Sequence, residues 1–148
     1  MRRLCTVISF LFLFGFTSAQ TFTNSTGGNI PDGGTTFTCF PITVTGVGTI
    51  GSSYGLVSVC LNINHTYDGD LFIYLRAPDN TIIILSNQNG GSNNNYTGTC
   101  FTMTAATRIQ NGVAPFTGTF RPQENLGFVN NGQNANGVWQ LCIRDLTL

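Results

Sequence analysis

The chain has 148 residues, of which 8% are charged and 41% are hydrophobic, and it contains 18 glycines and no lysine. This apolar content excludes an intrinsically disordered tail, and the lack of a glycine period of three excludes collagen. Four arginines stand against six acidic residues once Arg2 and Arg3 are set aside as part of a leader. A nucleic-acid partner is therefore excluded, because binding through phosphates requires clustered basic residues.

The first nineteen residues have the three parts of an export signal. Arg2 and Arg3 precede an apolar run from Leu4 to Phe16, and Thr17-Ser18-Ala19 supply small residues before cleavage at Gln20. The run is shorter than the roughly 20 residues with which a helix crosses a bilayer, so an uncleaved anchor is the weaker alternative. The sequence predicts a signal peptide over 1–19 and a secreted or cell-surface protein with no membrane partner after cleavage.

The rest of the chain has the pattern of an all-β domain. Residues 20–29 are rich in polar residues and Gly, which predicts a flexible lead-in, and the domain itself is expected over 30–148. Runs rich in Val, Ile, Thr and Phe alternate with Gly, Asn and Ser clusters, which is typical of a β-sandwich or barrel. Strands are predicted at 40–44, 56–63, 70–75, 81–85, 100–104, 117–120 and 138–146.

Two connections are also predicted from local composition. Residues 77–80 place Pro78 at the second position of a type I turn, so the flanking strands are expected to form a hairpin. Residues 87–95 contain only Asn, Gln, Gly and Ser and are expected to form a solvated loop. The side chains expected to face inward on the second and last strands are Val57, Val59, Leu61, Ile63, Trp139, Leu141 and Ile143.

Four cysteines remain after signal cleavage, namely Cys39, Cys60, Cys100 and Cys142. An even number in an oxidising compartment predicts two disulfides, and none of the spacings is that of a zinc site. Of the three connectivities we favour Cys39–Cys60, because these residues lie symmetrically about a Gly-rich turn that could set them opposite each other in a hairpin. The pair Cys100–Cys142 then follows by elimination.

A hydrolase motif is present without its usual context. Residues 51–55 match G-x-S-x-G, whose Ser53 would be the nucleophile at a strand-to-helix turn, with an acid and then a histidine later in the chain. No helix is expected after Ser53, and the single histidine, His65, follows after only twelve residues. We interpret residues 51–55 as a loop and His65 as a structural residue, and an enzyme that uses both remains the alternative.

The carboxylates of Asp68, Asp70 and Asp79 lie at short spacings, and oxygen ligands of this kind are what Ca²⁺ prefers. They form a candidate structural calcium site, although Asp-Gly is also a common turn pair. No other cofactor is indicated.

Three segments resemble the P domain (Homo B domain) of proprotein convertases and kexin-like subtilisins. Residues 65–81 read HTYDGDLFIYLRAPDNT, which is similar to that family's strand ending in His-Thr-aromatic-x-Gly-Asp-Leu, followed by an alternating strand and x-Pro-x-Gly-Thr. Residues 137–145 read GVWQLCIRD, like its Gly-x-Trp-x-Leu-x-Val-x-Asp strand, and residues 30–32 resemble its first segment. Asn80 replaces the usual Gly, and the family adds a closing strand beyond the position of Leu148.

The resemblance implies a jelly-roll β-sandwich of about eight antiparallel strands, without the final one here. It implies a non-catalytic partner of a subtilisin-like catalytic domain in serine-type endopeptidases, which that domain stabilises and regulates. It also implies structural roles for Asp70 and Trp139, and no catalytic residue. His65 and Asp145 are likewise expected to be structural. The alternative is a stand-alone module that binds carbohydrate or another cell-surface ligand through the loop at 87–95.

Overall fold

The computed structural model describes residues 19–147, so the predicted signal peptide lies almost wholly outside the described residues. The strands are β1 (Thr38–Val44), β2 (Ser58–Ile63), β3 (Leu71–Arg76), β4 (Ile82–Asn87), β5 (Tyr96–Thr102), β6 (Phe116–Phe120) and β7 (Gly137–Asp145). Three 3₁₀ turns occur at Asp68–Asp70, Ile109–Asn111 and Leu126–Val129. Within residues 19–147, no helix is long and apolar enough to cross a membrane.

The strands form two sheets, which confirms the predicted all-β sandwich. One sheet has the order β1-β7-β3-β4 with antiparallel neighbours, and the other has the order β2-β5-β6. The structure differs from the expectation in having seven strands in the described residues and one parallel pair, β5 with β6. A parallel pair needs a long crossover, and residues 103–115 supply it.

Alternation along β3 and β7 places one set of side chains in the core between the sheets. Leu71 and Ile73 are completely buried and lie opposite Asp145 and Ile143 of β7. Trp139 is 7% exposed, and its indole N–H donates to the carbonyl of Ala135 at 2.9 Å. The second sheet contributes large aromatic side chains to the same core, namely Tyr96, Phe101 and Phe116. Each fully buried side chain of this size stabilises the fold by about 1.5 to 3 kcal/mol.

The predicted inward face of the second strand is correct only in its later half. Leu61 and Ile63 are buried, but Val57 is 69% exposed. The strand begins at Ser58, so Val57 belongs to the preceding loop and does not follow the alternation of the sheet.

The predicted disulfide pairing is wrong, although all four cysteines are bonded. The bonds join Cys39 to Cys142 and Cys60 to Cys100. Cys39 and Cys142 are register partners on β1 and β7, and Cys60 and Cys100 are register partners on β2 and β5. Because β1 and β2 belong to different sheets, the connection between them is not a hairpin, and Cys39 cannot lie opposite Cys60.

The outer edge of β4 is covered by a short segment that forms hydrogen bonds with the backbone of the strand. Gln123 and Glu124 donate their backbone N–H groups to the carbonyls of Leu85 and Ile84, at 3.1 and 3.0 Å. In return the Glu124 carboxylate accepts from the N–H of Ile84 at 2.7 Å, and the Gln123 amide oxygen accepts from Asn87 at 3.1 Å. This protects an edge that could otherwise pair with another chain.

The segment before β1 has no regular secondary structure but contacts the sandwich. Phe22 packs against the core, and the Asn24 amide donates to the carbonyl of Pro41 at 2.8 Å. Further along, the N–H of Gly33 donates to the carbonyl of Thr147 at 2.9 Å. This last bond brings residues 30–33 beside the end of β7.

Candidate functional site

The residues on which the sequence interpretation depends meet at one end of the four-stranded sheet. β2 ends at Ile63, and His65 lies two residues later, just before the 3₁₀ turn Asp68–Asp70. The turn leads directly into β3, whose first residue is the register partner of Asp145 at the end of β7. The topology therefore brings His65, Asp70 and Asp145 to one place from three different parts of the chain.

A hydrogen bond between His65 and Asp145 connects the two sheets. The imidazole Nε2 lies 2.9 Å from Oδ2 of Asp145, which is 3% exposed, and Oδ1 of the same carboxylate accepts from the N–H of Thr147 at 3.0 Å. Since a carboxylate only accepts, Nε2 carries the proton. Nδ1 lies 3.3 Å from the N–H of Tyr67 and 3.0 Å from its carbonyl, so it finds an acceptor when protonated and a donor when not. The ring is held in place in either charge state.

Asp68 begins the 3₁₀ turn three residues after His65 and is completely buried. Its Oδ1 accepts from the N–H of Asn95 at 2.9 Å, and its Oδ2 has no hydrogen-bond partner. Burial raises the pKa of the Asp68 carboxyl from 3.8 to about 6, against the opposing effects of the Asn95 N–H and the nearby His65. Because the carboxyl is buried and only one of its oxygens is hydrogen-bonded, its charged form destabilises the folded state.

The Asn-rich loop predicted at 87–95 packs against the 3₁₀ turn through its backbone. The carbonyls of Asn93 and Gly91 accept from the N–H groups of Asp68 and Gly69, at 2.8 and 2.9 Å. Asn95 completes the contact, because its amide oxygen accepts from the N–H of His65 at 3.0 Å. The loop therefore supports the site on its inner side, and its exposed residues are Gln88 and those at its tip, 91–94.

A polar cleft of about 360 Å³ opens in front of the His65–Asp145 pair. The remaining residues of its wall are Ile30, Asp32, Thr66, Tyr67, Asp70 and Thr147. The structure does not bring Ser53 to this cleft, since it lies in a loop that is fastened to Asn130 through the N–H of Leu56. The predicted alternative of a Ser53–His65 catalytic pair is therefore not assembled.

The three carboxylates of the candidate calcium site are not brought together. Asp68 and Asp70 lie at the start of β3, whereas Asp79 lies in the turn after its end, about 20 Å away at 3.3 Å per residue. Asp79 instead binds the N–H and hydroxyl of Thr81, both at 2.9 Å, and the amide of Asn131 at 2.8 Å. In the described part of the chain, no three His, Cys, Asp or Glu residues are placed to hold a metal ion.

A second feature, which the sequence analysis did not identify, lies on the outer face of the four-stranded sheet. We call it the aromatic–arginine face, and it consists of Phe37, Phe72, Tyr74, Arg76 and Arg144. The Phe37 ring centroid lies 5.4 and 4.7 Å from those of Phe72 and Tyr74, and the Arg144 guanidinium carbon lies 5.1 Å from it. Arg76 Nη2 lies 3.7 and 3.8 Å from the two sulfurs of the Cys39–Cys142 disulfide. The alternation along β3 could have predicted part of this face, since Phe72, Tyr74 and Arg76 alternate with the core residues Leu71, Ile73 and Leu75.

Fold and site together define a disulfide-bonded two-sheet β-sandwich domain, of a kind that fits an extracellular protein. The chain belongs to the proprotein convertase P-domain family, whose model matches residues 55–148. It is 37% identical over 112 residues to Leupeptin-inactivating enzyme 1 of Streptomyces exfoliatus, covering 76% of this chain and 25% of that protein. The chain thus matches about a quarter of the length of this curated relative. No solved structure gives a significant match.

Proposed function

We propose that this chain is an exported, non-catalytic accessory domain that packs against a catalytic domain of the subtilisin-like class and stabilises it. The family match over residues 55–148 carries this proposal. The relative from Streptomyces exfoliatus supports it, because there a segment like this chain accounts for only a quarter of a protein that is named an enzyme.

The geometry of the site agrees with this role. His65 is engaged by Asp145 and Tyr67, so the ring joins the two sheets and is not turned towards a nucleophile. Serine and cysteine are both missing from the cleft wall in the described residues. A rigid sandwich of this kind can stabilise a neighbour by covering part of its surface, because anything that binds only the folded form raises its stability.

Three proteins test the proposal: intact Leupeptin-inactivating enzyme 1, the same enzyme without the segment that this chain matches, and a chimera in which residues 20–148 replace that segment. For each protein we would measure the half-life of its leupeptin-inactivating activity during incubation at raised temperature. We expect the chimera to survive several times longer than the truncated enzyme.

A chimera that decays as fast as the truncated enzyme would contradict the proposal. The alternative of a stand-alone module predicts a different result, namely saturable binding of the isolated chain to a glycan array together with no protection of the enzyme.

A further inference from the structure

The aromatic–arginine face carries two guanidinium groups that have no carboxylate partner. Within residues 19–147 no arginine lies within salt-bridge distance of a carboxylate. Arg76 and Arg144 are both half-buried, and the Nε of each is buried without a hydrogen-bond partner. The Nε of Arg121 is in the same state, but Arg121 lies away from this face and its guanidinium donates to the carbonyl of Ala106. Each guanidinium has thus lost hydration at its Nε without gaining a hydrogen bond there, and neither faces a negative charge, which favours the arrival of an anionic group.

The two arginines are held in place before any partner arrives. Arg144 rests on the Phe37 ring, in the geometry of a cation–π contact, and Arg76 rests on the Cys39–Cys142 disulfide. Side chains ordered in advance lose little conformational entropy on binding, so more of the contact energy is available for affinity.

Their spacing follows from the sheet register. Arg144 is the register partner of Phe72, and Arg76 lies four residues further along β3, so the two positions are about 13 Å apart along the strands. Between them the half-buried rings of Phe37 and Phe72 lie at the surface, above the buried Tyr74 and the disulfide. Ile82, 47% exposed, is the register partner of Arg76 on β4. Arginine and aromatic anchors beside apolar contacts are the composition of a protein–protein interface core.

We infer that the aromatic–arginine face is the surface through which this domain docks on its catalytic domain, and that the docked surface presents one carboxylate to each of the two arginines. The inference rests on the proposed function and names the surface that performs it. Arginine forms bidentate bonds with carboxylates, so each guanidinium selects an Asp or Glu of the partner. Two arginines without lysines suit such a discrete pair of charges and not a polyanion.

The test uses the chimera with Leupeptin-inactivating enzyme 1. R76Q/R144Q removes both guanidinium groups of the face, and R108Q/R121Q removes the same charge elsewhere. We expect R76Q/R144Q to shorten the half-life of the chimera about tenfold, towards that of the truncated enzyme, and R108Q/R121Q to leave it unchanged. R76K/R144K keeps the positive charges but lacks the two-pronged guanidinium geometry, so it should recover part of the lost half-life. As a control, the unfolding temperature of each isolated variant is compared with that of the native domain, and we expect every variant to fold.

The outcomes separate the inference from the proposed function. A protective chimera that R76Q/R144Q leaves unaffected overturns the inference alone. A chimera that protects no better than the truncated enzyme overturns the proposed function and the inference with it. A dimer of the isolated chain that R76Q/R144Q dissociates would assign the face to a second copy and also overturn the inference.

Discussion

Replacing Asp68 by Asn changes how the stability of the domain depends on pH. The folded-state pKa of about 6 exceeds the ordinary value of 3.8 because the carboxyl is buried. The folded state therefore binds the proton more tightly than the unfolded state does, and stability falls as pH rises between these two values. At about 1.4 kcal/mol per pH unit, the charged carboxyl costs the folded state about 3 kcal/mol above pH 6.

An asparagine at position 68 has no such cost. It can still accept from the N–H of Asn95, but its NH₂ group occupies the place of the unpartnered Oδ2, which costs about 1 kcal/mol. We expect D68N to be more stable than the native chain by about 2 kcal/mol at pH 7 and slightly less stable at pH 4. Urea unfolding between pH 4 and 7 measures the difference directly.

Asp79 offers a control of opposite sign. Slight burial raises the pKa of its carboxyl, but hydrogen bonds from Asn131 and Thr81 outweigh this and leave the pKa below its ordinary value. The native chain should therefore gain stability relative to D79N as pH rises towards 3.8 from below, and the difference should stay nearly constant above about pH 5. A difference in unfolding free energy between D68N and the native chain that stays constant from pH 4 to 7 would contradict the raised pKa of Asp68.

Three further predictions concern the architecture. H65A should lower the free energy of unfolding by about 2 to 3 kcal/mol, because it leaves the Asp145 carboxylate buried without its ring partner. C39S/C142S should lower it by about 4 to 5 kcal/mol, because that bridge closes a separation of 103 residues. F116A should cost about 3 to 5 kcal/mol, because the ring is completely buried. Denaturant titration measures all three.

Each of these predictions has its own check. Peptide mapping without reduction must recover Cys39 linked to Cys142, and recovery of Cys39 linked to Cys60 would contradict the strand order. An H65A chain as stable as the native one would show that the ring does not join the sheets. An F116A chain that loses less than about 1 kcal/mol would contradict its place in the core.

Elements governed by neighbouring residues were predictable from the sequence. The hairpin around Pro78 forms as expected, with Asp79 bonded to Thr81 at its tip. The last strand was predicted within one residue at each end, because Trp139 and Ile143 alternate with more exposed positions. These features depend on side-chain period and turn chemistry, which a linear sequence contains.

Features governed by distant residues were not predictable in this way. The symmetric spacing of Cys39 and Cys60 suggested a hairpin, but nothing local shows that the chain crosses to the other sheet between them. The same limit applies to Asp79, whose spacing from Asp70 is short in sequence but spans the length of β3. Pairing with β7 likewise decides that Arg144 and Arg76 share one face.

Both disulfides of this domain bridge neighbouring strands within a sheet, and neither joins one sheet to the other. The covalent links thus resist the separation of β7 from β1 and of β5 from β2, while the contact between the two layers depends on packed side chains and on hydrogen bonds made by the loops. Under a pulling force or at high temperature, the two sheets should therefore separate from each other first, while the disulfide-linked strands within each sheet stay together.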